Sequence, residues 1–345
     1  MSVILIECER YAETAMRYFG SKASTLQELV RLVKAHVTEG SFCDPFGGIA
    51  TVGAHFKAAG YRVFSGDMLR FAHYFQIARI EYSRTPSFRR LLEATRKKSR
   101  ADLIQYLNGV KPRSGWFVRE FAIRRRFFTI SNAAHIDAIW TEIGKWRTRS
   151  LISDRESAFL LASLINSADL VANTAGTYYA YLKQWHRKAV KDFRFDLLVP
   201  THGLRGSSFL GDAADLVRKR EYDVLYLDPP YNDRCYSGYY HLPETLARGR
   251  WRPVHGKSGV PKCSPVSVFN SPARAAEALS QLLESARFKL MIFHYSDEGI
   301  IPPRVIRRIL RKHGSYRSFR LTAAGYTTER IQREITHRVY VIHNG

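Results

Sequence analysis

The sequence predicts an α/β protein in which a single sheet of alternating strands and helices is interrupted by a long helical insertion. Three observations carry this. Strand-length apolar runs separated by helical periods occur near the amino end and again in the last part of the chain. Between them the apolar spacing is helical only, in segments loaded with Lys and Arg. Two of the runs, "SFCDPFGG" and "YDVLYLDPPY", stop on an aspartate followed by a stiff turn, as strands of a parallel sheet do where their carboxyl ends face a ligand.

Taken in order, "STLQELVRLVKAHV" places Leu26, Leu29, Val30, Val33 and Val37 on one helical face, Thr25 and Glu28 are spaced as a capping box, and Gly40 ends the helix. The next stretch, "SFCDPFGGIATVGAHFKAAGYRVFSGDM", reads as a short strand, a Gly-rich turn, a helix from about Thr51 to Ala59 and a second strand ending on Asp67. From about Phe71 to Arg194 the pattern is helical and basic, as in "RRLLEATRKKSR", "EFAIRRRFF" and "NAAHIDAIWTEIGKWRTRS". Strand signals return in "SSFLGDA", "EYDVLYLDPP", "ARFKLMIFHYS", "SYRSFRLT" and "EITHRVYVIHN", with helical stretches between them. "GRWRPVHGKSGVPKCSPVSVFNSP" is rich in Gly, Pro and Ser and reads as a long loop. The expected division is a discontinuous sheet domain over 1–80 and 200–345, a helical insertion over 81–199, and the long loop over 248–272.

The charge limits the partners. Lys and Arg number 54 against 31 Asp and Glu, a net charge of +23, which points to a polyanion and above all to nucleic acid. No apolar run approaches the roughly 18 residues of a membrane span, and the early "VILI" is too short for a signal peptide, so a cytoplasmic protein is expected. Cys8, Cys43, Cys235 and Cys263 stand singly, without a nearby histidine at zinc spacing, so neither disulfides nor a metal site is expected.

The candidate site begins with "DPFGGIATVG", whose glycines let a ligand approach the backbone before a helix. Alone it is a weak signal, since an empty βα turn reads the same, and Ala50 stands where a dinucleotide fingerprint has its third glycine. Asp67, 23 residues beyond Asp44, strengthens it, because an acid at the end of the second strand accepts both hydroxyls of a ribose. The absence of a Walker G-K-[ST] sequence argues against a triphosphate. Asp228 ends the run "YDVLYL" at the same edge. Pro229 and Pro230 fix the backbone after it, which leaves the Pro229 carbonyl as a rigid acceptor beside the Asp228 carboxylate. Two adjacent acceptors suit an amino group with two hydrogens, and Tyr231 adds a flat face for a planar ring.

"RYFGSK", then "DPFGG", the acid of "FSGD", a helical insertion, "FLGDA" and "DPPYNDRCYSGYYHLPET" together resemble the D12 class of DNA adenine N6 methyltransferases, the group that includes the Dam-type enzymes. The resemblance covers nearly the whole chain, and the order of its motifs is that of the alpha-type amino-methyltransferases. It implies a Rossmann-like S-adenosylmethionine-dependent sheet whose helical insertion recognises the target. Tyr18 and Lys22 would contact S-adenosylmethionine; Asp44, Phe46 and Gly48 would line its methionine side; Asp67 would hold the ribose and Asp212 the adenine amino group. Asp228, Pro229 and Tyr231 would be the catalytic set, with Asp228 touching the cofactor as well. Double-stranded DNA is the implied partner, a cognate restriction endonuclease a possible second one, and no metal is implied.

The insertion's Arg124, Arg125 and Arg126, and the long loop's Arg250, Arg252 and Lys257, are candidate DNA contacts. His241 and Glu244 read as structural supports. Methylation of adenine in RNA, of another planar amine, or a lapsed enzyme that only binds DNA remain alternatives on the residues alone.

Overall fold

The computed structural model describes Met16, Tyr18 and residues 25–249, 253–261, 266–324 and 334–343. Lys22, Arg250 and Arg252 lie outside the described residues. The chain clusters into two compact units: Ser21–Ser83, Thr201–Cys235 and Pro265–Gly345 form one, and Met1–Gly20, Arg84–Pro200 and Tyr236–Ser264 form the other.

The first unit is built on a seven-stranded sheet. Its strands are β1 (Ser41–Asp44), β2 (Arg62–Asp67), β3 (Ser207–Leu210), β4 (Glu221–Leu227), β7 (Arg287–Ser296), β8 (Tyr316–Ala324) and β9 (Glu334–His343), ordered β3-β2-β1-β4-β7-β9-β8. The first five in that order run parallel; β9 pairs antiparallel with both β7 and β8. Alternate side chains serve two cores. Val224, Tyr226, Leu290 and Ile292 pack with the helices Leu26–Lys34 and Thr51–Ala58, whereas Leu225, Leu227, Met291 and Phe293 pack with Ala213–Val217, Ala275–Ser285 and Pro303–Leu310. A strand buried on both faces has no polar side, which is why "VLYL", Val224 to Leu227, reads as an unbroken apolar run. This is a Rossmann-like α/β fold.

Leu26, Leu29 and Val33 are buried as their spacing requires, but the expected capping box does not form: Thr25 is the N-cap and makes no side-chain cap hydrogen bond. Its ψ of 1° departs from the extended backbone from which a capping hydroxyl reaches the first turn. The amino ends of the strands are tied by Asp223, whose carboxylate accepts from Ser41 N and Oγ at 2.8 and 2.7 Å and pairs with Lys289 at 2.7 Å. Burial raises the Asp223 carboxyl, but Lys289 and Ser41 outweigh it and hold its pKa at about 2. Gly40, at φ +130°, leaves room for it, since a Cβ there would overlap the carboxylate.

The second unit is helical, with Arg89–Ala94, Arg100–Asn108, Ile130–Thr148 and Asp154–Asp169 as its main helices among the described residues. Two begin with complete capping boxes, Ser99 with Asp102 and Ser153 with Glu156. The Gly-, Pro- and Ser-rich segment contains a small antiparallel pair, β5 (Val254–His255) with β6 (Val260–Pro261).

Asp223→Ala should lower stability by about 2 kcal/mol, since it strips partners from a half-buried amide, a hydroxyl and an ammonium at once. In urea melts of the native chain, Asp223's share of stability should be complete above the ordinary carboxylate pKa of 3.8 and lost as pH falls through about 2.

Candidate active site

Register determines the shape of the sheet's carboxyl edge. Asp44 pairs with Ser65 on β2, and Cys43 with Leu225 on β4, so Asp44 lies level with Ser65 and Tyr226. Asp67 and Asp228 each stand two residues further along their strands, about 7 Å at the usual rise of a strand. The edge is therefore a recess: Asp44 is its floor, 1% exposed, and the half-buried Asp67 and Asp228 are its two sides. Asp212 follows β3 one strand further out and is exposed; its Oδ1 accepts from Ala214 N at 2.8 Å and caps the helix Ala213–Val217. The recess includes the gap between β1 and β4, where the strand order reverses direction, the place at which open α/β sheets bind ligands.

The Gly-rich turn closes over the β2 side of this recess. Gly48, at φ 49°, donates its N–H to Asp67 Oδ2 at 3.1 Å, and Leu69 N donates to Asp67 Oδ1 at 2.8 Å. Gln76 Nε2 holds the Gly48 carbonyl at 3.0 Å. A Cβ on Gly47 would fall inside the contact radius of Ser65 Oγ and within 3.1 Å of Gln76 Nε2. Only glycine fits there. Ala50 takes φ 63°, ψ 35° while fully buried, so it adopts the left-handed backbone that a glycine would, at a strain of about 1 kcal/mol. Phe46 is fixed by an edge contact with Phe269, with ring centroids 5.1 Å apart.

On the β4 side, Asp228 leads into the buried Pro229 and half-buried Pro230 and Tyr231. Tyr226, fully buried below them, has its hydroxyl pushed well above the ordinary value by burial and by the charges of Asp228 and Asp44, and it meets His294 Nδ1 at 3.1 Å. The Tyr231 ring lies nearly perpendicular to those of Tyr295 and His337. The chain after it is held by Asn270, whose Nδ2 donates to Asn232 O at 2.8 Å and to Arg234 O at 2.9 Å. Ser65, Gln76, Asn270, Tyr295 and His337 all shape this edge, and none carries a motif signal that sequence reading could have used.

The arrangement suits an adenosylated amino acid. Each Asp67 oxygen accepts a backbone N–H, from Gly48 and from Leu69, and a carboxylate oxygen accepts more than one hydrogen bond. Gly47 leaves the backbone bare for close approach, and Asp44 lies in the recess beyond it. Three strand spacings, roughly 14 Å, separate the β3 and β4 ends, which is room for a nucleoside at one end and a reactive group at the other.

The remaining sequence-derived residues lie in the helical unit. Tyr18 stacks on Tyr240 with centroids 4.9 Å apart. Arg125 is 8% exposed, and its guanidinium binds Glu120 Oε2 at 2.8 Å and the Gly256 carbonyl at 3.0 Å. Burial raises the Glu120 carboxyl, but Arg125, Arg119 and Arg124 together take it below the ordinary range. Arg124 is exposed and pairs with Glu120 at 2.8 Å; exposed Arg126 donates to Lys183 O and lies over the Trp185 ring at 4.8 Å. Lys257 is exposed on the turn between β5 and β6. Within "NTAGTYYAYLKQW", Tyr178 is core and Tyr179 is 64% exposed. His241 is buried, with Nε2 2.9 Å from Tyr178 O, and burial lowers its pKa to about 4, so at neutral pH it is an uncharged structural group.

A Gly-rich turn, the acid that ends β2 and an Asp-Pro-Pro-Tyr turn thus share one edge of a Rossmann-like sheet. Residues 18–297 match the family described as D12 class N6 adenine-specific DNA methyltransferase, and the chain belongs to that family. Type II methyltransferase M.FokI of Planomicrobium okeanokoites is 30% identical over 342 residues, 95% of this chain and 52% of that protein. Modification methylase StsI of Streptococcus sanguinis is 32% identical over 304 residues, 86% of this chain and 46% of that one. The chain spans about half the length of these two relatives. Type II methyltransferase M.NlaIII of Neisseria lactamica is 30% identical over 310 residues, 87% of this chain and 89% of its own length. No described helix is long and apolar enough to cross a membrane.

Gly47→Ala should weaken S-adenosylmethionine binding at least tenfold by forcing the turn off Ser65, and adding Ser65→Ala should recover part of it; calorimetric titration reads both. The unfolded chain protonates His241 near pH 6.5 and the folded chain near 4, so its contribution to stability, a few kcal/mol, is present above pH 6.5 and declines toward pH 4. His241→Asn should flatten that stretch of a melting-temperature series.

Proposed function

We propose that the chain transfers the methyl group of S-adenosylmethionine to N6 of an adenine turned out of duplex DNA. The observation that carries this is the Asp228-Pro229-Pro230-Tyr231 turn ending β4 beside the Gly-rich recess, in a chain of this family and of charge +23.

Asp67, Asp44, Phe46, Gly48 and Asp212 would hold the cofactor, joined by Tyr18 and Lys22. S-adenosylmethionine, when bound, supplies an electrophilic sulfonium methyl group. Adenine's amino nitrogen is a poor nucleophile because its lone pair is delocalised into the ring. Asp228 and the Pro229 carbonyl accept its two N–H hydrogens, which favours a tetrahedral nitrogen with a localised lone pair. The carboxylate also stabilises the developing ammonium and, with water, receives the departing proton. No covalent intermediate is needed. Tyr231 replaces the stacking that the base loses on leaving the duplex.

The helical unit is assigned to target recognition, with exposed Arg124, Arg126 and Lys257, and also Arg250 and Arg252, against phosphates or groove edges. The words "modification methylase" and "type II methyltransferase" in the relatives' names support a modification role in a bacterial or phage setting, beside a cognate endonuclease in the cytoplasm.

The test is incubation with tritiated S-adenosylmethionine and, separately, unmethylated duplex DNA, single-stranded RNA and protein. Label should enter duplex DNA and digest to N6-methyladenine, and Asp228→Ala should reduce it by at least a hundredfold. Label confined to RNA or protein contradicts the proposal.

A further inference from the structure

The ring of Tyr231 can stack on a base only if its plane is set before the base arrives, and three restraints set it. Tyr295 meets it at 79° with centroids 6.2 Å apart, and His337 at 82° and 5.9 Å. The Tyr231 carbonyl accepts from Ile300 N at 2.9 Å. Tyr295 and Ile300 belong to the end of β7 and the turn that follows it, and His337 belongs to the neighbouring β9.

That turn is compact. Gly299 N donates to Ser296 O at 3.0 Å, Glu298 N to Ser296 Oγ at 3.2 Å, and Ile301 N to Tyr295 Oη at 3.3 Å. A Cβ on Gly299 would run into the Tyr295 ring. The turn's first residue, Asp297, takes a two-pronged ion pair from Arg338, Nε to Oδ1 at 2.8 Å and a terminal nitrogen to Oδ2 at 3.0 Å. Arg338 is the residue after His337. One fork-to-fork pair thus fastens the turn that carries Ile300 to the strand that carries His337, and so joins the restraints on either side of Tyr231.

A partly exposed ion pair adds little stability, but two parallel N–H···O bonds fix orientation well. We propose that Arg338 and Asp297 are positioning residues for the target base, acting through Tyr231; this rests on Tyr231 being the ring that stacks on it. Neither is among the residues proposed above to contact base or cofactor. Their loss lets the turn and the tyrosine ring drift, and a displacement of about 1 Å at a reacting group lowers rate by up to about a hundredfold.

The experiment measures steady-state methylation of a duplex carrying the mapped target, together with S-adenosylmethionine affinity by calorimetry. The full chain is compared with Arg338→Ala, Tyr231→Ala and the double variant. Arg338→Ala should lower kcat/KM for DNA about tenfold and leave cofactor affinity within about twofold. In the Tyr231→Ala background it should have almost no further effect. The exchanged pair Asp297→Arg with Arg338→Asp should regain most of the loss. Should Arg338→Ala fold poorly, Asp297→Asn, which keeps shape and one acceptor, should show the same dependence on Tyr231 at smaller amplitude. Equal losses in both backgrounds, or wild-type kinetics for Arg338→Ala, would overturn the proposal. Wild-type kinetics for Tyr231→Ala is a different result: it removes the stacking role of Tyr231 and, with it, the positioning role of Arg338 and Asp297.

Discussion

Neighbouring parallel strands hold their ends at heights set by register, and here the register makes a recess instead of a flat edge. β1 stops at Asp44, level with Ser65 on β2 and Tyr226 on β4, and its neighbours each run two residues further before they end in acids. Everything that gives the site its chemistry follows from that offset. The short central strand makes room for the Gly-rich turn, the taller β2 presents Asp67 to that turn, and the taller β4 lifts Asp228 and its prolines to the opposite side. Asp223 secures the register from the other end, binding β1 through Ser41 and β7 through Lys289.

Carboxylates this close together would repel one another if nothing answered them. Asp67 is answered by two backbone N–H groups. On the β4 side Asp228 is followed along the chain by Pro229, Pro230 and Tyr231. Asp228 and Asp44 raise the Tyr226 hydroxyl beneath them, which stays neutral and polar at any physiological pH.

Much of this was legible in the sequence, for physical reasons that differ by element. The ends of β1, β2 and β4 were readable because a buried parallel strand is a plain apolar run and an acid after it is conspicuous. Asp67 and Asp228 were readable because their motifs combine an acid with glycine or proline. The supports were not. Asn270, Gln76, Tyr295 and His337 act through contacts with residues distant in the chain, and no local motif marks them. Nor does the sequence distinguish Arg125 from its neighbours, since a run of three arginines looks uniformly basic although Glu120 and the Gly256 carbonyl draw the middle one inside. Thr25 had the spacing of a capping box without the backbone angle to use it. The π-turns at Ile77–Glu81 and Arg119–Ile123 have no sequence signature either, though buried Lys57 closes the first by donating to three carbonyls at 2.7–3.0 Å.

In the proposed function the two sides of the recess divide the labour, the β2 side holding the cofactor and the β4 side the amine. Equilibrium titration of S-adenosylmethionine into Asp67→Ala and into Tyr231→Ala, without DNA, tests it most directly. Asp67→Ala should lose roughly a hundredfold in affinity, about 2.7 kcal/mol, and Tyr231→Ala should bind within about twofold of the unaltered chain. Wild-type affinity in Asp67→Ala, or a large loss in Tyr231→Ala, would contradict it.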